Sequence, residues 1–103
     1  MTKRPTFDGF LKKAMKNPEF KAGYELLEIK EAVVENFINA RQKANYSQEE
    51  LAAKLAMQQP AIARLEGGGY ATTTVKNLAK IADALGYKLK IALVPQKAPV
   101  RTA

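Results

Sequence analysis

The chain has 103 residues, with 17 Lys and Arg against 10 Asp and Glu, for a formal net charge of +7. One domain with one modest core is the default at this length, and 47% hydrophobic with 26% charged residues is ordinary globular composition. The absence of Cys and His excludes thiolate and imidazole nucleophiles, Ser-His-Asp chemistry, Cys/His zinc sites and disulfides. No apolar run approaches the ~20 residues of a membrane span, and the first residues lack the apolar segment of a secretory signal. We therefore expect a cytoplasmic protein with no metal or other cofactor and no membrane association.

The charge is unevenly spread. Residues 1–18 carry a net +4, residues 19–35 a net −3, residues 36–64 a net +2 and residues 65–103 a net +4. A basic balance favours polyanion partners through counterion release. The acidic stretch is a second contact surface suited to a basic protein, or else a solvated helix face.

Phe7, Phe10, Leu11, Ala14 and Met15 form one stripe of a short amphipathic helix. Asn17-Pro18 ends that helix and starts another with Pro at its first position. Phe20, Tyr24 and Leu27 share a face of the second helix, but apolar residues resume out of phase at Ile29, Val33, Val34, Phe37 and Ile38. The phase change predicts a bend or break near Leu27–Ile29, a continuous helix with two binding faces being the alternative. The stripe then runs on to Arg41.

Ser47 with Glu50 makes a capping box that opens a short helix with Leu51 and Leu55 inward. Ala56-Met57 is the turn. A further helix starts with Gln58 at its cap and Pro60 in its first turn, and ends before Gly67-Gly68-Gly69. The run Thr72-Thr73-Thr74 caps a last helix through Val75, Leu78, Ile81, Ala82 and Leu85, stopped by Gly86. Leu89, Ile91 and Leu93 then alternate with Lys88, Lys90 and Ala92, which predicts a strand over residues 88–94 ended by Pro95. The expected core is Phe37, Leu51, Leu55, Ile62, Leu65, Val75, Leu78, Ile81 and Leu85. The expected organisation is a helical extension over 1–30, one domain over 31–94 and a basic tail over 95–103.

Two short helices joined by a tight turn have helix-turn-helix geometry. The runs Ser47-Gln48-Glu49-Glu50-Leu51-Ala52, Leu55-Ala56-Met57-Gln58-Gln59 and Ile62-Ala63-Arg64-Leu65-Glu66-Gly67 closely resemble the lambda-repressor-like, XRE-type helix-turn-helix family. Val75, Leu78 and Ile81-Ala82-Asp83-Ala84-Leu85-Gly86 match that family's closing helix, so the resemblance covers roughly residues 31–94. Within the family the chain is similar to the HigA-type antitoxins. That likeness rests on Gln59-Pro60-Ala61-Ile62-Ala63-Arg64, on Leu85-Gly86-Tyr87-Lys88-Leu89-Lys90-Ile91 with Val94-Pro95, and on Asn17-Pro18-Glu19-Phe20. The sequence departs from the pattern at Ala56, where Gly is frequent and Ala is tolerable if right-handed. It departs again at Gln58, where Ser or Thr is usual, and at Thr73, where Pro is common.

The resemblance implies an all-α, lambda-repressor-like bundle with the N-terminal extension and one short C-terminal β-strand. A recognition helix inserts its N-terminal half into the major groove. Gln59 is then the leading base reader, because its amide can bond bidentately to adenine. Gln58 and Ala61 border the same edge, and Arg64 reaches guanine or a phosphate. Gln48 matches the family's backbone-clamping glutamine, with Tyr70, Thr72 and Lys76 as weaker phosphate contacts. Arg41 continues a buried stripe, where a lone cation is costly; the family pairs this position with an acid, here Glu66, so a structural ion pair is expected.

The antitoxin likeness further implies a HigB/RelE-like ribonuclease toxin as partner, bound through the segment 1–35 (Phe7, Phe10, Phe20, Tyr24 and Leu27) or through the strand. The strand could instead pair with its twofold mate in a homodimer suited to a palindromic operator. A stand-alone XRE-type repressor and an interaction adaptor reusing the fold are the rival readings. An enzyme is not expected: Glu49 and Glu50 diverge on their helix, and Gly67–Gly69 lacks the strand, helix and Lys of a phosphate-binding loop.

Overall fold

The computed structural model describes residues 7–96 and holds five helices: α1 (Phe7–Ala14), α2 (Pro18–Lys43), α3 (Gln48–Lys54), α4 (Gln59–Glu66) and α5 (Val75–Ala84). A 3-10 turn, Gly69–Ala71, lies between α4 and α5. Helix starts follow the local chemistry. Asn17 Oδ1 accepts from the amides of Glu19 and Phe20 at 2.9 and 3.3 Å. Ser47 and Glu50 close their capping box at 3.0 and 2.8 Å, and Thr74 accepts from Asn77 at 3.1 Å. Each satisfies amide donors that the helix itself leaves without partners.

Helix ends repeat one device. In α2, α3 and α5 the chain leaves through a left-handed residue, with the next amide bonding back to a carbonyl in the last helical turn. Those residues are Asn45 (φ 62°), Ala56 (φ 56°) and Gly86 (φ 81°). The closing bonds are Tyr46 N–H to Arg41 at 3.1 Å, Met57 N–H to Ala52 at 2.8 Å and Tyr87 N–H to Ala82 at 2.8 Å. Asn and Gly tolerate this conformation, whereas Ala carries a Cβ that opposes it. The condition under which Ala is tolerable at position 56, a right-handed backbone, is therefore not met: the closing geometry makes the residue left-handed.

The core is Phe37, Leu51, Ala52, Leu55, Ile62, Tyr70, Ile81, Ala82 and Leu85. Leu51 and Ile62 are wholly enclosed, which is worth about 2–3 kcal/mol for each side chain. Val33, Val34, Leu65, Leu78 and Leu89 pack around them. Val75 is not part of the core but 59% exposed. It opens α5, and Cβ atoms lean toward a helix N-terminus, so its side chain overhangs the end.

Three further differences from the sequence reading have physical causes. Helix α2 runs unbroken through Leu27–Ile29. Its first half packs against no core, so the phase change leaves Leu26, Leu27 and Ile29 exposed rather than bending the helix. Residues 88–94 form no strand; Leu89 packs on the core, while Ile91, Leu93 and Val94 are exposed, Leu93 at 98%. The alternation is present but a strand needs a second backbone to bond. Tyr70, expected at the phosphates, is 1% exposed and stacks on Phe37 at 4.5 Å between ring centroids. Its hydroxyl is buried without a hydrogen-bond partner.

Burial pushes the Tyr70 phenol up to about 12, the Glu66 carboxylate adding to the rise and Arg41 opposing it. The unfolded phenol ionises near 10.0, so this residue's contribution to stability is intact below pH 10 and lost as pH climbs toward 12. Tyr70→Phe should remove that alkaline component. At neutral pH it should raise stability by about 1 kcal/mol, since an unmet buried hydroxyl is gone. Denaturant titrations at pH 7 and in alkaline buffer check both effects. Ala56→Gly should add about 0.5–1 kcal/mol by relieving the left-handed Cβ, read as a higher unfolding midpoint.

Candidate nucleic-acid interface

Helices α3 and α4 pack across the tight turn at Ala56, and the N-terminus of α4 meets the N-terminus of α3 through their side chains. Gln59, the first residue of α4, donates from Nε2 to Gln48 Oε1 at 2.8 Å. Gln48, the first residue of α3, donates from Nε2 to Glu66 Oε1 at 2.9 Å. Glu66 closes α4 and receives Arg41 through Nε at 2.6 Å and through the second guanidinium nitrogen at 3.2 Å. Arg41 also donates to the Tyr46 carbonyl at 2.7 Å, which ties the end of α2 to the loop before α3.

The polarity of this chain is dictated by one charge. A carboxylate only accepts, so Gln48 must turn its amide nitrogen to Glu66 and its oxygen to Gln59. Gln59 must then offer a nitrogen to Gln48, which leaves its own oxygen and a second N–H for another partner. That is the donor and acceptor pair needed for the N6/N7 edge of adenine. The ion pair expected between Arg41 and Glu66 is formed, with side-chain exposures of 12% and 7%. Two charges this deep are tolerable because bidentate bonding and the Gln48 amide share the desolvation load.

The other residues singled out from sequence are more loosely held. Gln58 caps α4 by position only, without a side-chain capping bond, and is exposed beside Gln59. Arg64 and Lys76 are exposed, Ala61 is half-buried, and the Thr72 hydroxyl donates to the Gly69 carbonyl at 3.2 Å. Tyr70 lies apart from these, inside the core. The glycine run between α4 and α5 is required sterically: Gly68 has φ 134°, and a Cβ on Gly69 would sit 3.1 Å from the Arg64 carbonyl oxygen. Among the described residues no group of three or more acidic side chains is placed to hold a metal ion, and no helix is long and apolar enough to cross a membrane.

Sequence reasoning missed the Gln59–Gln48–Glu66 relay, although the types and positions of all three residues were in view. It also missed Tyr70, the one large apolar residue between Leu65 and Val75, in a segment that has to cross the core.

A turn-linked helix pair with an exposed, hydrogen-bonded polar edge on its second helix defines a helix-turn-helix protein. The helix-turn-helix family model matches residues 38–91, just over half of the chain, and the chain belongs to that family, of the XRE type. It is accordingly a DNA-binding regulator of transcription, with double-stranded DNA as its partner. No curated protein and no solved structure gave a match.

Glu66→Gln should lower stability by about 1–3 kcal/mol, because the half-buried Arg41 loses its counter-charge. Denaturant unfolding measures this. A second change should accompany it in DNA titrations: the amide chain loses its fixed polarity, so discrimination between sites falls more than overall affinity.

Proposed function

We propose that the chain is a sequence-specific repressor that reads its operator through the N-terminal edge of α4. The observation that carries this reading is the fixed Gln59 amide, held by Gln48 and Glu66 at the exposed start of the second helix of the pair. Gln59 reads a base edge, Gln58 and Ala61 border it, and Arg64 adds a phosphate or guanine contact. Gln48, at the start of α3, clamps the backbone, and Thr72 and Lys76 extend the phosphate contacts. The role is one of binding rather than catalysis, and the protein acts in the cytoplasm as a homodimer on a palindromic site.

The finer reading is an antitoxin that represses its own operon and neutralises a HigB/RelE-like ribonuclease. Its support is the apolar surface outside the DNA-reading unit: Phe7, Phe10, Phe20 and Leu27 are exposed, and Phe20 stacks on Tyr24 at 6.2 Å. The acidic residues of α2 suit a basic RNA-cleaving enzyme.

Selection of duplexes from a random library should enrich one palindromic motif. Against it, Gln59→Ala should cost about 1–3 kcal/mol and relax preference at one base pair. Arg64→Ala should weaken all sequences alike and reduce the salt slope by about 1 if its contact is a phosphate. Failure to enrich any motif would favour the adaptor reading. For the finer claim, the tagged full chain should recover a small basic protein in equal amount through a high-salt wash, which strips polyanions but spares a packed interface. Recovery of the bait alone would leave a stand-alone repressor.

A further inference from the structure

On α4, Ile62 is wholly enclosed, so the ridge that faces furthest from the core lies opposite it on the helix. At about 100° per residue, Pro60 and Arg64 each stand about 160° round from Ile62, one on either side. Four residues apart, they are neighbours on that outermost ridge, and both are exposed. Gln59 lies off the ridge, about 100° round from Pro60. It is half-buried and tied to Gln48 at 2.8 Å. The N-terminal end of the ridge is therefore a pyrrolidine ring rather than an amide.

That ring can read a base in one way only. It has no polar side-chain atom, and its nitrogen carries no hydrogen. The first turn of a helix tolerates the missing N–H, because donors there have no partner within the helix. The same loss leaves a purely apolar surface between the hydrogen-bonding side chains of Gln58, Gln59 and Arg64. Base-edge donors and acceptors pressed against such a surface lose water without gaining a bond. In the major groove thymine alone of the four bases adds an apolar group, the methyl on C5; cytosine methylated at C5 presents the same group. The ring is also rigid, so holding it against a methyl costs no side-chain entropy.

The geometry points to Pro60 as a specificity-determining residue that packs on the C5 methyl of a pyrimidine, thymine in unmodified DNA, beside the base pair read by Gln59. The inference rests on the operator reading and adds to it a contact made by shape instead of hydrogen bonding.

The test uses the full chain and the duplex enriched from the random library, with the Gln59 pair located by the relaxed preference of Gln59→Ala. Each thymine is replaced in turn by deoxyuridine in both half-sites, which removes the methyl and leaves every hydrogen-bonding group in place. One position beside the Gln59 pair should cost about fourfold in affinity per half-site, the factor that one buried methyl group supplies. A 5-methylcytosine·guanine pair set at that position should bind tighter than the unmethylated pair by a similar factor. Pro60→Ser should bind the thymine and deoxyuridine duplexes alike. The deoxyuridine scan uses the unaltered protein, so it does not depend on how the variant folds. A scan silent at every thymine, or no preference for the methylated cytosine, would overturn the inference and leave the operator reading standing. A deoxyuridine loss undiminished in Pro60→Ser would also overturn it, giving the methyl contact to another residue such as Ala61. Enrichment of no motif at all would overturn both readings together.

Discussion

The Glu66 carboxylate is the group on which the rest of the DNA-reading unit depends. It ends α4, receives Arg41 from α2 and receives Gln48 from the start of α3, so one half-buried charge joins three helices. Hydrophobic packing alone would leave the short α3 and α4 free to shift against each other, since apolar contact is non-directional. Hydrogen bonds to a carboxylate are directional and strengthened in a dry setting. The consequence reaches the surface: the amide of Gln59 has its orientation chosen by a charge two hydrogen bonds away. A structural ion pair and the polar edge at the start of α4 are therefore a single construction.

Much of this was legible in the sequence, and what escaped did so for identifiable reasons. The caps at Asn17, Ser47 and Thr74 and the apolar spacing of Leu51, Leu55, Ile62, Ile81 and Leu85 depend on neighbours a few residues apart, and a linear chain displays such relations. The Arg41–Glu66 pair was anticipated because a lone cation on a buried stripe is costly and the resemblance to the XRE-type pattern implies an acid at the end of α4. The relay through Gln48 was not, because contact between Gln48 and Gln59 arises only when α3 and α4 meet. Tyr70 misled because its hydroxyl resembles a phosphate donor. Its ring decides its place, and stacking on Phe37 outweighs leaving the hydroxyl unmet.

The segments that departed from expectation share a property: each bears an apolar pattern without a surface of its own chain to meet. Helix α2 kept its course through Leu27–Ile29 because nothing packs there to impose a bend. Residues 88–94 kept their alternation without becoming a strand because no second backbone lies alongside. A periodic pattern specifies which face an element would bury, while the partner decides whether the element forms and what it covers.

Charge separates the two regions as clearly as packing does. The DNA-reading unit lies in basic sequence, and the acidic excess is confined to residues 19–35, on the half of α2 that leaves the core. Within a chain of net charge +7, an acidic stretch near the recognition helix would weaken phosphate binding. Glu19, Glu25 and Glu28 lie on the part of α2 that leaves the core, while Glu31 and Glu35 line the same groove as the Gly67–Gly68 turn that follows α4. The unbroken 26-residue α2 therefore does more than carry Phe37 and Arg41 into the core. It also extends acidic side chains and the exposed Leu26, Leu27 and Ile29 beyond the core.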